Sequence, residues 1–229
     1  MTDARQTFVG VFSDNIKFSR QEWKTIVENE LDGTIPEGKM MCCLAQLPNF
    51  RERAKRMLRG ECSDSILVQE ATINYQQMMS VIDIFQTRRR DMGQAIASGS
   101  VGDIYGRIMD THFQRSYAIG LTVGLIINCM LCTLCPDDES LPVQAEHFVR
   151  EIIDLSEGAE IYRPLGASYM SLCLMVAWVS TNDHASKLHV EQELEKYMQD
   201  FYHGPLAQLI QNLKGYSAYL RLADEASQG

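Results

Sequence analysis

The sequence predicts an all-α protein: one domain over residues 1–229, with about nine helices in an irregular bundle around two buried apolar helices. Three observations support this prediction. Apolar residues recur at spacings of three and four, the period of a helix that buries one face. Only residues 7–12 (TFVGVF) suggest a short extended piece, and sustained strand alternation is missing. Hydrophobic residues make up 45% of the chain, enough for one core.

The first third of the chain is predicted to form three short helices. Residues 19–22 (SRQE) fit a capping box, in which serine and glutamate side chains satisfy free amides at a helix start. They predict a helix over 20–30. Two further amphipathic segments, 39–47 and 49–59, are separated by Pro48, which lacks the amide that a helix interior uses. We therefore expect Pro48 to end one helix and the next helix to begin after it.

Two long helices are predicted in the middle of the chain. Residues 63–93 contain no proline and no glycine before Gly93. Apolar residues recur there at helical spacing, at Ala71, Tyr75, Met78, Ile82 and Phe85. After a connection rich in small residues at 97–102, the second long helix should start near Gly102 or Asp103 and run to Leu134, shortly before Pro136.

The second half of that helix, residues 117–134, is apolar over the length of a membrane span, and Gly120-x-x-x-Gly124 fits a close helix-packing motif. Thr122 and Asn128 are polar, however, and the residues that follow (CPDDES) are acidic rather than basic. The pattern favours a helix buried on all sides in a soluble protein, with no membrane partner.

The last third is predicted to contain four helices. The helix after Pro136 is expected to end at Gly158. Its apolar side is assigned to Val143, His147, Val149, Ile152, Ile153 and Leu155. Pro164 suits a first helical turn, so the apolar stretch that follows it to Ser180 should form the second buried helix. Asp183 should cap a helix reaching about Tyr202, and a last helix is expected over 205–223.

Charge and cysteine content exclude several functional classes. The formal charge is -9, and binding to phosphate backbones requires clustered lysine and arginine, so we expect no nucleic-acid partner. The N-terminal residues lack the apolar run of a secretory signal. The seven cysteines are odd in number and scattered, which is typical of reduced thiols in the cytoplasm, with the nucleus also allowed.

The sequence contains no established motif for binding a metal or a cofactor. Cys129, Cys132 and Cys135 have a spacing that thiolate clusters use, but continuous apolar helix around them predicts small buried side chains. The five histidines form no His-Glu-x-x-His motif. Because phosphate loops and the glycine-rich dinucleotide motif are missing from the sequence as well, the expectation is no metal and no cofactor.

Residues 105–201 resemble the C-terminal part of the regulatory domain of fungal binuclear zinc-cluster transcription factors. The resemblance rests on the helical pattern, with Arg163-Pro164-Leu165-Gly166 and Ala177-Trp178 as its sharpest points. Such factors hold their zinc cluster with six closely spaced cysteines, and the dispersed cysteines of this chain do not fit that arrangement. The resemblance therefore implies an all-helical effector region without its DNA reader. It also implies that a stand-alone relative in a natural-product pathway can have become a small enzyme.

The leading hypothesis from the sequence is a cofactor-independent enzyme that encloses an apolar metabolite and promotes intramolecular cyclisation of the Diels-Alder type. Such a reaction needs a shaped apolar cavity and one or two hydrogen-bond donors on a carbonyl. Tyr105, His112, Tyr117 and Tyr169 are the predicted catalytic donors. Asn128, Met130, Met170 and Trp178 are the predicted ligand-binding residues. The alternative is a non-catalytic regulatory or effector-binding module, and either could be a homodimer.

Overall fold

The computed structural model describes residues 32–200, 207 and 209–214. Its elements are α1 (Pro36–Leu58), α2 (Leu67–Ala97), α3 (Asp103–Leu134), α4 (Ser140–Ala159), a 3₁₀ turn (Glu160–Tyr162), α5 (Met170–Ser180) and α6 (His184–Met198). No strand occurs in this described part, so the all-α prediction is confirmed. These seven elements do not confirm the predicted count of about nine helices. The predicted helix over 20–30 and the extended piece at 7–12 lie outside the described residues.

Helix α3 packs against four other helices, α1, α2, α4 and α5. Its boundaries agree with the prediction, because Gly102 has extended backbone at the N-cap and the helix ends two residues before Pro136. It is long and apolar enough to cross a membrane, yet 78% of its most apolar window is buried inside the protein. Neighbouring helices therefore cover this apolar surface.

Helices α2 and α4 approach α3 closely at Gly120 and Gly124. Gly120 lies beside Met78, Ile82 and Phe85 of α2, and Gly124 lies between Ile82 and Phe148 of α4. A methyl group added at Gly124 would stand 3.1 Å from the Ile82 Cδ1 atom and 3.2 Å from the Phe148 Cε2 atom. The Gly-x-x-x-Gly spacing thus serves packing between helices of one chain.

The prediction that Pro48 separates two helices is wrong, since α1 continues through it. Proline in a helix interior removes one hydrogen bond and costs about 3 kcal/mol. Leu44, Leu47 and Phe50 on both sides of Pro48 are buried in the core, and this burial outweighs that cost.

Two assignments in the last third also need correction. Residues 163–169 form turns, and α5 begins at Met170 rather than at Pro164. In α4, Val143 and His147 are exposed, and the buried side is formed by Leu141, Ala145, Phe148, Val149, Ile152, Ile153 and Leu155. Residues 207 and 209–214 of the predicted last helix are helical.

Helix α6 begins as predicted. The Asp183 carboxylate accepts a hydrogen bond of 2.7 Å from the Ser186 amide, which satisfies a donor that the first turn leaves free. The helix ends at Met198, earlier than the expected Tyr202. It packs on α4 and α5, so its inner face reaches the C-terminal turn of α4.

Candidate functional site

Arginine side chains connect three of the four predicted catalytic residues. The Arg89 guanidinium lies 5.9 Å from the centre of the Tyr117 ring. The Arg115 Nη2 atom lies 3.4 Å from His112 Nδ1. Both arginines also act electrostatically on Tyr169. Arg89 on α2 and Arg115 on α3 therefore link these three residues electrostatically.

The Tyr117 hydroxyl is engaged inside the protein. Only 1% of this residue is exposed, and its hydroxyl donates to Glu151 Oε2 at 3.0 Å, joining α3 to α4. Burial, followed by the Glu151 charge, raises the pKa of Tyr117 well above its ordinary value. The phenol is neutral at physiological pH, and its one donor is already used.

Tyr169 is the more accessible phenol of this group. It is half-buried at the N-cap of α5, and burial raises its pKa above the ordinary value of 10.0. Among the described residues, its hydroxyl has no hydrogen-bond partner. A neutral phenol is a donor that a carbonyl oxygen could use.

His112 takes part in a charged cluster at the surface. Its Nε2 atom lies 3.6 Å from Glu37 Oε1, and the same carboxylate oxygen lies 3.4 Å from Arg88 Nη1. Glu37 stands in the first turn of α1, so the cluster joins the start of α1 to α2 and α3 at a partly exposed surface. Contacts of this kind at a solvated surface contribute little to stability.

The four predicted ligand-binding residues lie in the packed interior. Asn128 donates at 3.0 Å both to the Tyr75 hydroxyl and to the Leu141 carbonyl. Met130 and Met170 are core residues. The Trp178 Nε1 atom donates to Glu191 Oε1 at 2.8 Å, which joins α5 to α6. The polar groups among these four thus have partners within the protein.

Tyr105 lies apart from the others, on an exposed apolar face at the start of α3. Ile104 is 79% exposed, Tyr105 60% and Ile108 61%. His112 and Arg115 follow on the same side of the helix, because residues at spacings of three and four share a face. We call this stripe, Ile104, Tyr105, Ile108, His112 and Arg115, the α3 face. Tyr105 and His112 of this face were predicted as site residues, whereas Ile104 and Ile108 were not, although a helical projection of 104–115 places them beside Tyr105.

A groove of about 600 Å³ opens along α2. The described residues that line it come from one face of that helix: Gln76, Met79, Ser80, Asp83, Ile84, Thr87 and Arg88. None of the eight predicted site residues is among them. The groove is open to solvent, and its lining residues include none from the apolar segment 117–134.

Among the described residues, the side chains that could bind a metal ion lie between α4 and α6, and not at the three cysteines that the sequence analysis considered. Cys129 donates to Ser180 Oγ and Cys132 donates to Asn128 Oδ1, so these two thiols serve contacts within the bundle. In the described part of the chain, one group has ligand atoms close enough to share an ion, and it consists of Glu157, His189 and Glu193.

Comparison with known proteins adds no family. No protein-family model, curated protein or solved structure matches this chain. The resemblance of residues 105–201 to the regulatory domain of fungal zinc-cluster factors therefore depends on the residue pattern alone and stays a prediction.

Proposed function

We propose that this chain, in the cytoplasm or nucleus, is a non-catalytic interaction module that binds an amphipathic helical segment of a partner protein on the α3 face. One observation carries the proposal: three large apolar side chains, Ile104, Tyr105 and Ile108, are mostly exposed on adjacent turns of one helix. Contiguous exposed apolar residues are typical of protein interaction sites. Covering them with the apolar side of a helix would remove them from water.

The charges beside this apolar patch indicate the chemistry of the partner. Arg115 is exposed on the same face, about 10 Å beyond Ile108 at 1.5 Å per residue. Exposed Arg107 flanks the patch on the other side, while Glu37 is shared between Arg88 and His112. Although the whole chain is acidic, this face is basic. A segment with apolar residues at one end and carboxylates at the other is complementary to it.

The interior supports a framework role rather than a reaction chamber. In this proposal α3 and α5 are the two buried helices at the centre of the bundle, and they hold the α3 face rigid. Tyr117 donates its hydrogen bond to Glu151, and Trp178 donates to Glu191. Asn128 donates to the Tyr75 hydroxyl and to the Leu141 carbonyl. Side chains held in this way stabilise the bundle and are not available to a substrate.

A binding assay with defined peptides tests the proposal. A fluorescent amphipathic peptide of about five turns, with leucines at i, i+3, i+4 and i+7 and glutamates at its far end, is titrated with the chain. A second peptide carries lysines in place of the glutamates. We expect the acidic peptide to bind and the basic peptide to bind at least tenfold more weakly, a difference of about 1.4 kcal/mol. Added salt should reduce this preference, because it screens Arg115.

Matched variants locate the binding site. Ile108→Ser and Arg115→Glu should each weaken binding of the acidic peptide by about tenfold or more, since exposed apolar anchors and charges act separately. Leu188→Ser on α6, where the native leucine is 51% exposed, is the control and should leave binding unchanged. Equal binding of the two peptides, or equal loss in the control, would overturn the proposal. A homodimer in sedimentation that Ile108→Ser dissociates would assign the face to a second copy of the chain instead.

The cofactor-independent cyclase is the second proposal, and Tyr169 is the observation that favours it. Its unpartnered hydroxyl, on which Arg89 and Arg115 act electrostatically, could polarise a carbonyl oxygen. A synthetic linear triene with a carbonyl-activated double bond is incubated with the chain, and cyclised product is measured by mass spectrometry. Acceleration over buffer that Tyr169→Phe removes would support catalysis. A rate equal to that in buffer would contradict it.

A further inference from the structure

We propose that Glu157, His189 and Glu193 form a binding site for a transition-metal ion, with Zn²⁺ as the best-fitting ion, which joins α4 to α6. The site lies away from the α3 face and is independent of peptide binding. His189 and Glu193 are four residues apart on α6, so they point from one face on adjacent turns. Glu157 comes from the last turns of α4, which packs against α6.

The distances suit a small tetrahedral ion. The ligand atoms of the three side chains all lie within 4.8 Å of one another, and His189 Nε2 is 3.3 Å from Glu157 Oε1. Zinc binds such nitrogen and oxygen atoms at about 2.0–2.2 Å, so two of its ligands in a tetrahedron are about 3.4 Å apart. The 3.3 Å separation between His189 Nε2 and Glu157 Oε1 already matches this ligand-to-ligand distance. Small rotations of the exposed Glu157 side chain bring its carboxylate onto the ion without moving the backbone.

The donor set selects the class of metal. Calcium and magnesium prefer oxygen ligands only, whereas an imidazole with carboxylates suits zinc and other divalent transition metals. The imidazole is what distinguishes this group from an ordinary acidic surface patch. Three protein ligands leave one tetrahedral position for water, as in zinc sites that are not closed.

The Glu193 carboxylate is already held in place by a neighbouring side chain. The Glu193 side chain is 4% exposed, and its Oε2 atom accepts a hydrogen bond of 3.2 Å from Ser156 Oγ. Contacts of this kind from a second residue fix the orientation of a metal-binding carboxylate. Its other oxygen, Oε1, lies 2.7 Å from the Lys196 ammonium. The buried carboxylate thus already attracts a cation, and Lys196 is the competitor that a metal ion must displace.

Lys196 can give way, because its side chain is 45% exposed and flexible. The competition predicts that removing this ammonium strengthens metal binding. The site does not follow from fixed histidine motifs, because the chain has no His-Glu-x-x-His sequence. The spacing His189-x-x-x-Glu193 is visible in the sequence, but Glu157 joins it only through the packing of α4 on α6.

Calorimetric titration of the full chain with ZnCl₂, under reducing conditions without chelator, tests the proposal. We expect one ion per chain with micromolar affinity, weakened at least tenfold in His189→Ala, since even outer-shell changes at metal sites cost about 10–100-fold. His184→Ala, an exposed histidine at the start of the same helix, is the control and should bind as the native chain does. Lys196→Met should bind roughly five- to tenfold more tightly, because a competing charge is removed.

Two further measurements keep the result unambiguous. Zinc should raise the thermal midpoint of the native chain and not that of His189→Ala, because an ion bound only to the folded state stabilises it. Cobalt bound at this site should lack the charge-transfer absorption of thiolate ligands, which separates it from cobalt on the seven cysteines. Absence of binding, equal affinity in His189→Ala, or a thiolate spectrum would each overturn the proposal.

Discussion

At the scale of single residues, Asn128 shows how a polar side chain is accommodated at the centre of α3. It is fully buried, and its amide nitrogen donates to Tyr75 on α2 and to the Leu141 carbonyl at the start of α4. The Cys132 thiol donates to its amide oxygen at 3.4 Å. One side chain therefore joins three helices by hydrogen bonds in an apolar core.

We predict that Asn128→Ala lowers the free energy of unfolding by about 2–6 kcal/mol, because two buried groups lose their donor and each costs about 1–3 kcal/mol. Urea unfolding followed by circular dichroism measures the change. Gln77→Ala, an exposed site on α2, should change stability by less than about 0.5 kcal/mol. A ligand-binding role for Asn128 without a structural one would instead leave the stability of Asn128→Ala close to native.

The sequence could predict that Asn128 needs a partner, but not which partner. A polar residue on a helix that enters the core requires a hydrogen bond from protein or ligand. Tyr75 lies 53 positions earlier in the chain, and no local pattern relates the two residues. The same limit applies to Met130 and Met170, since residues that line a cavity and residues that fill a core have the same periodicity.

At the scale of helices, boundaries were predictable where local chemistry alone sets them. Gly102 and Pro136 delimit α3, and the Asp183 side chain caps α6, as their residue types indicate. The predictions at Pro48 and Pro164 were wrong, and at Pro48 the packing of buried neighbours is the reason. Pro48 stays inside α1 between buried residues, whereas Pro164 lies in a turn and α5 begins later, at Met170. A rule about proline gives the local cost and not the tertiary gain that offsets it.

Substitution of Gly124 tests the contact between α3 and its neighbours. Gly124→Leu should destabilise the chain by about 1–3 kcal/mol or more, because a side chain there meets Ile82 and Phe148 at the distances of a full core. The loss is measured as a lower urea midpoint. Gly93→Ala is the matched control, since a methyl group on this glycine of α2 meets nothing within 4 Å. It should raise stability by up to about 1 kcal/mol through helix propensity. Similar effects at the two positions would contradict close packing at Gly124.

At the scale of the whole molecule, burial makes stability sensitive to alkali. Burial raises the pKa of Cys43 and of Cys173 to about 12, from an ordinary value of 9.0. Burial likewise raises the pKa of Tyr75 to about 12, from 10.0. These groups belong to α1, α5 and α2, so the effect is spread through the core. In each case the folded state keeps a proton that the unfolded state releases.

The sign follows from proton binding. Below pH 9 both states hold the thiol protons, and the stabilisation is fully present. Between pH 9 and 12 the unfolded state binds fewer protons, so the free energy of unfolding falls as pH rises, by about 1.4 kcal/mol per pH unit for each thiol. We expect the urea midpoint under reducing conditions to be flat from neutral pH to pH 9 and to fall above it. In Cys173→Ala, the free energy of unfolding should fall less steeply with pH, because one of the two buried thiols no longer contributes to the slope. A midpoint that stays constant through this range, or an equal slope in the variant, would show that the core does not hold these groups protonated.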